Sequence, residues 1–407
     1  MDQPTDRDSS NPERRNPLEV GGLLDDDGLS RRKLLQIGGI GVGALALPAV
    51  LAACGGGGSS SSTGSTGGGG GGGETAESPE LKKMLDNIES KQVIIGNYGG
   101  DTEEVRKKVF WEPFEARTGV QVISADAGAL AVPMILGEIP TKWDAVHGSI
   151  NESWSAQLYG KKKLPTTPEI AWEDLVLPKK FQPYMWQSFF LAYTAATIKG
   201  NFDTEPTSWA DFFDTKKFPG KRSWPAGYFN GGVLEAALLA DGVEPDEIYP
   251  LDFERAGAKI ESIQDDLVIY TEYAQAQSFL TSKTASMSYA PNGLWHELEG
   301  KGVDVVVAWE ATPILDNNGM NILPEPPNED AVMALAAFCN QPKLQSEFAT
   351  MTNYGPGTEE AFEELSEEQV EKLPNAPTRT NVLHDDPVYF AENYSKIEET
   401  ATKAIGE

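Results

Sequence analysis

Gln92-Val93-Ile94-Ile95-Gly96-Asn97-Tyr98-Gly99-Gly100-Asp101-Thr102-Glu103-Glu104 is the stretch that decides the fold. Its first seven residues form a short apolar run of strand type, which Gly99-Gly100 break. Asp101 to Glu104 then open a helix, with cap chemistry and acids in the first turn. Val105, Val109 and Phe114 mark one face of that helix, and Gly119 ends it. Val120-Gln121-Val122-Ile123 reads as the next strand. Strand, glycine turn, helix and strand in this order begin an α/β sheet, and the turn after the first strand is where such sheets bind ligands.

The alternation continues downstream. Trp143 to Val146 reads as a buried strand and Phe189 to Ile198 as an apolar, aromatic extended run. Gly231 to Ala240 reads as a helix, and Phe253, Ala256, Ile260 and Ile263 mark another. Leu267 to Tyr270, Ala285 to Tyr289 and Val303 to Trp309 are expected as strands. Asp330 to Asn340, Lys343 to Thr352 and 389–405 are expected as helices.

Upstream, Ser30-Arg31-Arg32-Lys33-Leu34-Leu35 precedes an apolar run that closes on Leu51-Ala52-Ala53-Cys54. A cationic stretch, a short apolar run and small residues are the layout of a secretory signal, here of twin-arginine type over residues 1–53. The Leu51–Cys54 run resembles the lipobox of bacterial lipoproteins, which places a lipid on Cys54 and the rest of the chain outside the cytoplasmic membrane. The alternative is an uncleaved anchor over residues 34–53, about long enough to span a bilayer. Residues 55–73 contain only Gly, Ser and Thr. Such a tract behaves as a random coil with a reach of about 24 Å. Residues 54–85 are thus read as a lipidated cysteine and tether, and 86–407 as the folded part.

The net charge is −29; eight acidic and six basic residues precede Cys54, so −27 falls on the remainder. Nucleic-acid binding needs a basic footprint and is excluded on this balance. The only other cysteine, Cys339, sits in an apolar helical stretch and reads as a small buried hydrophobe. His147, His296 and His384 have no metal-ligand spacing, and there is no GxSxG, HExxH or phosphate loop. No metal or cofactor is expected, and no catalytic set can be assembled.

Five stretches in order resemble the extracellular solute-binding proteins of ABC importers. They are Gly96–Gly100 running into Phe114–Val120; Pro206–Asp214 with Lys217–Arg222; Leu234–Val243; Tyr354-Gly355-Pro356-Gly357; and Leu373-Pro374-Asn375-Ala376-Pro377. Within that family the chain is most similar to the spermidine/putrescine branch. The resemblance implies a two-lobed, type II periplasmic-binding-protein-like α/β fold, with the ligand in a cleft between lobes joined by crossover strands. One lobe is expected over about 86–192 plus 310–350, the other over about 193–309 plus 351–407. Function is then capture of a small polar solute, expected to be a polyamine, and its delivery to a membrane permease by a monomeric receptor that needs no cofactor.

The resemblance also implies where the ligand sits. The first strand-to-helix turn corresponds to Tyr98, Gly99 and Gly100, and the loop with Asn151 and Glu152 should face the same opening. Tyr193 lies on the first crossover, and Tyr228 and Asn230 precede a helix. Tyr273 and Gln275 align with a Gly-Ala-Gln segment of the family, and Asn292 with its Trp-Asn-Gly segment. Trp309 and Glu310 end the strand expected to return to the first lobe.

An amine site needs carboxylates for the ammonium groups and aromatic faces for the methylene chain, the latter adding about 0.5–2 kcal/mol each by cation–π attraction. Glu152, Glu272 and Glu310 are the candidate carboxylates; Tyr98, Tyr193, Tyr228 and Trp309 are the candidate walls. Pro291 stands where relatives have tryptophan. Either another aromatic substitutes, or the ligand is not a linear polyamine but another small solute, amino-acid-like or cationic. A secreted α/β enzyme and a surface module that has lost transport are the competing functional classes.

Overall fold

The computed structural model describes residues 77–97, 101–127, 134, 138–149, 187–227, 231–323 and 325–407. The chain divides into two compact units, Met1–Gly71 and Gly72–Glu407. The first lies outside the described residues, as do the expected export signal, Cys54 and most of the expected tether.

The opening stretch folds as read. β1 (Gln92–Asn97) pairs in parallel with β2 (Gln121–Asp126), and β3 (Ala145–Ser149) joins the other edge of β1. The helical segment between β1 and β2 runs from Asp101 to Thr118 and stops on Gly119, whose left-handed φ of 74° suits glycine. A π-helical turn at Lys107–Trp111 interrupts it. That extra residue in the turn rotates the face the helix presents: Glu103 and Arg106 turn inward ahead of Val109, Phe110, Trp111 and Phe114. The sequence pattern assigned that face to Val105.

Two long strands carry the chain between the halves of the sheet. β4 (Gln187–Ile198) and β9 (Ile314–Ile322) are antiparallel, from Gln187 opposite Met320 to Tyr193 opposite Ile314. β5 (Arg222–Pro225), β6 (Leu267–Tyr270) and β7 (Met287–Pro291) form the second half, with β5 parallel to both others. The sheet order is β2-β1-β3-β9-β4-β7-β5-β6. β8 (Val305–Val307) pairs with the end of β4, so the expected strand Val303–Trp309 is a short side strand. The return to the first half is β9.

Each half has its own apolar core. Val93, Ile95, Phe110, Phe114, Met320, Leu335 and Phe348 pack in one. Leu191, Tyr193, Trp209, Phe212, Trp224, Leu234, Ile260 and Tyr289 pack in the other, joined by Ile397, Ala401 and Ala404 of the closing helix Pro387–Ala404. Burial of this area is the dominant stabilising contribution. Tyr354 packs against both cores. Among the described residues no helix is long and apolar enough to cross a membrane.

Candidate ligand site

Strand alternation and register place a polar row on one face of the sheet. His147 lies opposite Met320, Leu191 opposite Asp316, and Ile95 opposite Ala145. With side chains alternating, Asn97, His147, Asp316 and Tyr193 therefore share a face from one half to the other. All four are buried there. Tyr354 joins the same face, stacking on Phe189 with ring centroids 5.4 Å apart.

At the crossover, the Tyr193 hydroxyl donates to Asp316 Oδ2 at 3.1 Å. Asp316 is 1% exposed. The Tyr193 ring stacks on Tyr289 at 5.7 Å and 8°, and the Tyr289 hydroxyl donates to the Gly231 carbonyl. Trp209 and Trp224 complete this aromatic block around Tyr289. Gly231 is needed for closeness: a Cβ there would meet Tyr193 Cε2 at 3.0 Å. Burial first, and the Asp316 charge second, push the Tyr193 phenol well above its usual range, so it stays protonated and keeps its hydrogen for Asp316.

At the other end lies Arg106, 7% exposed. Its Nη2 donates to Asn97 Oδ1 at 3.4 Å, and its buried Nε has no partner among the described residues. Glu103, one turn earlier, is engaged elsewhere, with Lys107 Nζ at 3.0 Å and the Ser124 hydroxyl at 2.6 Å. Asn97 Nδ2 donates to the same Ser124 oxygen at 3.3 Å, so its carbonyl oxygen is left turned to Arg106. Burial lowers the Arg106 guanidinium to about 10, which still leaves it charged at neutral pH. Burial and the Arg106 charge hold His147 well below its usual range, hence neutral; the Gly319 backbone lies near its ring, with no well-formed hydrogen bond to either nitrogen among the described residues.

Tyr354 stands between the two ends. Burial pushes its phenol up to about 12, and the charges of Glu297, Arg106 and Asp316 all act on it. Its ring closes on Gly293, where a Cβ would meet ring atoms at 2.6 Å. Asp101, Thr102, Gly293, His296, Glu297 and Tyr354 line a narrow crevice there, between the first helix of one half and the helix Asn292–Gly300 of the other.

The residues singled out in the sequence fall into three groups. Tyr98, Gly99, Gly100, Asn151, Glu152, Tyr228 and Asn230 lie outside the described residues. Tyr193 and Asn292 are at the crossover. Asn292 there accepts from the Ala192 amide at 2.9 Å and donates to the Asn353 carbonyl at 2.6 Å, a bridging role with the amide engaged on both sides. Tyr273, 40% exposed, lies near enough for its phenol to act on that of Tyr193, whereas Gln275, Trp309 and Glu310 are engaged or exposed elsewhere. Gln275 Oε1 accepts from the Thr271 and Glu272 amides at the exposed start of helix Tyr273–Thr281. Trp309 is covered by the Arg379 guanidinium at 4.3 Å, so an internal cation already occupies that ring face. Glu310 is exposed. Asp316, Arg106, Asn97 and Tyr354 have no counterpart among the residues the sequence nominated.

Two α/β halves joined by long antiparallel crossover strands, with a buried polar row at the junction, define a two-lobed binding protein. The chain belongs to the bacterial extracellular solute-binding protein family, whose model matches residues 113–378. It is a solute-binding protein that acts outside the cytoplasm. A gamma-aminobutyric acid-binding protein of Pseudomonas aeruginosa is 27% identical over 301 residues, 71% of this chain and 83% of that one. A solved GABA receptor is 28% identical with a TM-score of 0.68, covering 78% of this chain and 98% of that one. A substrate-binding protein of an ABC transporter from Bradyrhizobium japonicum shares the fold, with a TM-score of 0.69 at 24% identity, over 78% and 100% of the two chains.

Proposed function

We propose that this receptor captures a small amino-acid-like zwitterion of the γ-aminobutyrate class and hands it to a membrane permease. The observation that carries this is Asp316. It is a buried carboxylate on a crossover strand, held by the Tyr193 hydroxyl beside a stack of aromatic rings. A buried carboxylate with a fixed hydrogen-bond donor suits an ammonium, and the aromatic faces suit its methylenes. Two relatives are named for γ-aminobutyrate, a solute with one ammonium group on a short methylene chain.

A linear polyamine, the expectation from the sequence, needs a carboxylate at each end. Of the candidates for the second, Glu272 and Glu310 are exposed at the ends of other elements, and Pro291 leaves one aromatic wall missing. Both facts favour the zwitterion. Binding, not turnover, is the activity proposed, in keeping with relatives named as binding proteins and receptors. The monomeric state, the lipid on Cys54 and the tether remain part of this reading, and they place the receptor at the outer face of the membrane.

Thermal unfolding with a solute panel tests it. At 100 times its dissociation constant a ligand of the folded state adds about 2.7 kcal/mol. γ-Aminobutyrate and related ω-amino acids should raise the melting temperature. A shift with putrescine or spermidine but none with amino acids would reverse the assignment of solute class.

A further inference from the structure

We infer that Arg106, presented by Asn97, is the anchor for the carboxylate of the solute, an inference that rests on the zwitterion reading above. Four observations converge on this residue. The guanidinium is buried and carries a full charge, a state that is expensive without a counter-charge. The acidic residue on its own helix face, Glu103, is tied to Lys107 and Ser124 instead. Among the described residues no carboxylate pairs with Arg106, and its Nε has no acceptor. Its acceptor among the described residues, Asn97 Oδ1 at 3.4 Å, is neutral and at the far end of hydrogen-bonding distance.

The surroundings are arranged to keep that charge unsatisfied. The relay Lys107–Glu103–Ser124–Asn97 sets the Asn97 amide so that its oxygen, not its NH2, faces the guanidinium. Of the titratable groups near Arg106, His147 is neutral, Tyr354 keeps its proton, and Glu103 acts on the guanidinium through space without a direct contact. The Tyr354 phenol, hydrogen-bonded by Thr102, stands next along the row and then Asp316. A planar guanidinium forks onto a carboxylate with two parallel N–H donors, which an ammonium-bearing end cannot accept. Arg106 would therefore repel the second ammonium of a diamine while Asp316 receives the first. One buried cation and one buried anion on the same sheet face select a solute with opposite charges at its two ends.

Three probes of matched length separate the contributions: γ-aminobutyrate, putrescine, in which an aminomethyl group replaces the carboxylate, and n-butylamine, which lacks any second charge. Titration calorimetry on the intact protein is expected to give γ-aminobutyrate about 10- to 100-fold tighter binding than butylamine, the size of a charge-assisted hydrogen-bonded contact. Arg106→Gln should bring that ratio close to one by weakening γ-aminobutyrate, with butylamine changed by less than about threefold. Arg106→Lys should recover part of the ratio. A purely structural Arg106 would lower the melting temperature of R106Q and leave the ratio intact, and that result overturns the anchor alone. Should R106Q not fold, Asn97→Asp supplies an internal carboxylate to the guanidinium and should lower the ratio in the same way; an unchanged ratio in N97D overturns the anchor. Wild-type protein that binds putrescine in preference to γ-aminobutyrate, or none of the three, overturns both the anchor and the zwitterion reading.

Discussion

Tyr193 and Asp316, 123 residues apart, meet through a 3.1 Å hydrogen bond between the two strands that cross from one half of the sheet to the other. They are offset along antiparallel neighbours, with Tyr193 opposite Ile314 and Asp316 opposite Leu191. The bond ties the crossover pair at the level where a solute would lie, and it fixes a buried carboxylate by a donor that cannot itself ionise near neutral pH.

Tyr193→Phe removes that donor while keeping the ring on Tyr289. The expected loss is about 1–2 kcal/mol of unfolding free energy, the usual consequence of removing one partner of a buried polar pair. Urea unfolding measures it. A stability equal to wild type would mean that the bond contributes nothing to the junction.

Gly293→Ala probes the contact between the halves. Its Cβ would enter the Tyr354 ring at 2.6 Å, so the expected cost is about 1–3 kcal/mol of overpacking. Gly300, last in the same helix, has nothing within 4 Å of an added Cβ. Gly300→Ala should be neutral or stabilising by up to about 1 kcal/mol. Equal melting temperatures for the two variants would contradict the packing described.

His147 gives a pH dependence with a defined sign. Its folded-state affinity for protons is well below that of the unfolded chain, whose value is 6.5. The unfolded state therefore binds more protons as pH falls, and the stability His147 allows at neutral pH is lost on going below about 6.5. Melting temperature should fall between pH 7 and pH 5, and less steeply in His147→Gln. Because the Arg106 charge contributes to the effect, R106Q should also flatten the slope. His384, lowered by burial as well, adds a smaller fall of the same sign that both variants retain. Identical slopes in wild type and H147Q would refute this.

Cys54→Ser tests the tether. Loss of the thiol removes the site proposed for the lipid, and the protein should then move from the membrane fraction to the soluble fraction. Retention in the membrane would show residues 34–53 acting as a span.

The βαβ opening, the first crossover strand and most helices were legible because their apolar spacing and glycine stops are local signals. β9 was not. Its middle, Asp316-Asn317-Asn318-Gly319, has the composition of a turn, and it is a strand only because it is enclosed by β3 and β4. With β9 unseen, Asp316 could not be nominated, and the return was placed on Val303–Trp309. Arg106 was hidden for a different reason. The π-helical turn after it changes the phase of the helix, so a charged residue joins the inward face. Its spacing of four residues from Phe110 and eight from Phe114 is the one signal that pointed inward. Conversely, Gln275 and Trp309 matched short family segments, but a helix cap and an Arg379 stack engage them.

Calorimetric titration of the wild-type protein with γ-aminobutyrate and with putrescine, under identical conditions, decides between one and two positive charges on the solute. Saturable one-to-one binding of γ-aminobutyrate, at least about tenfold tighter than putrescine, is expected from a site with a cation at one end and an anion at the other. Tighter binding of putrescine would mean that Arg106 does not face the solute and that the site is built for a diamine.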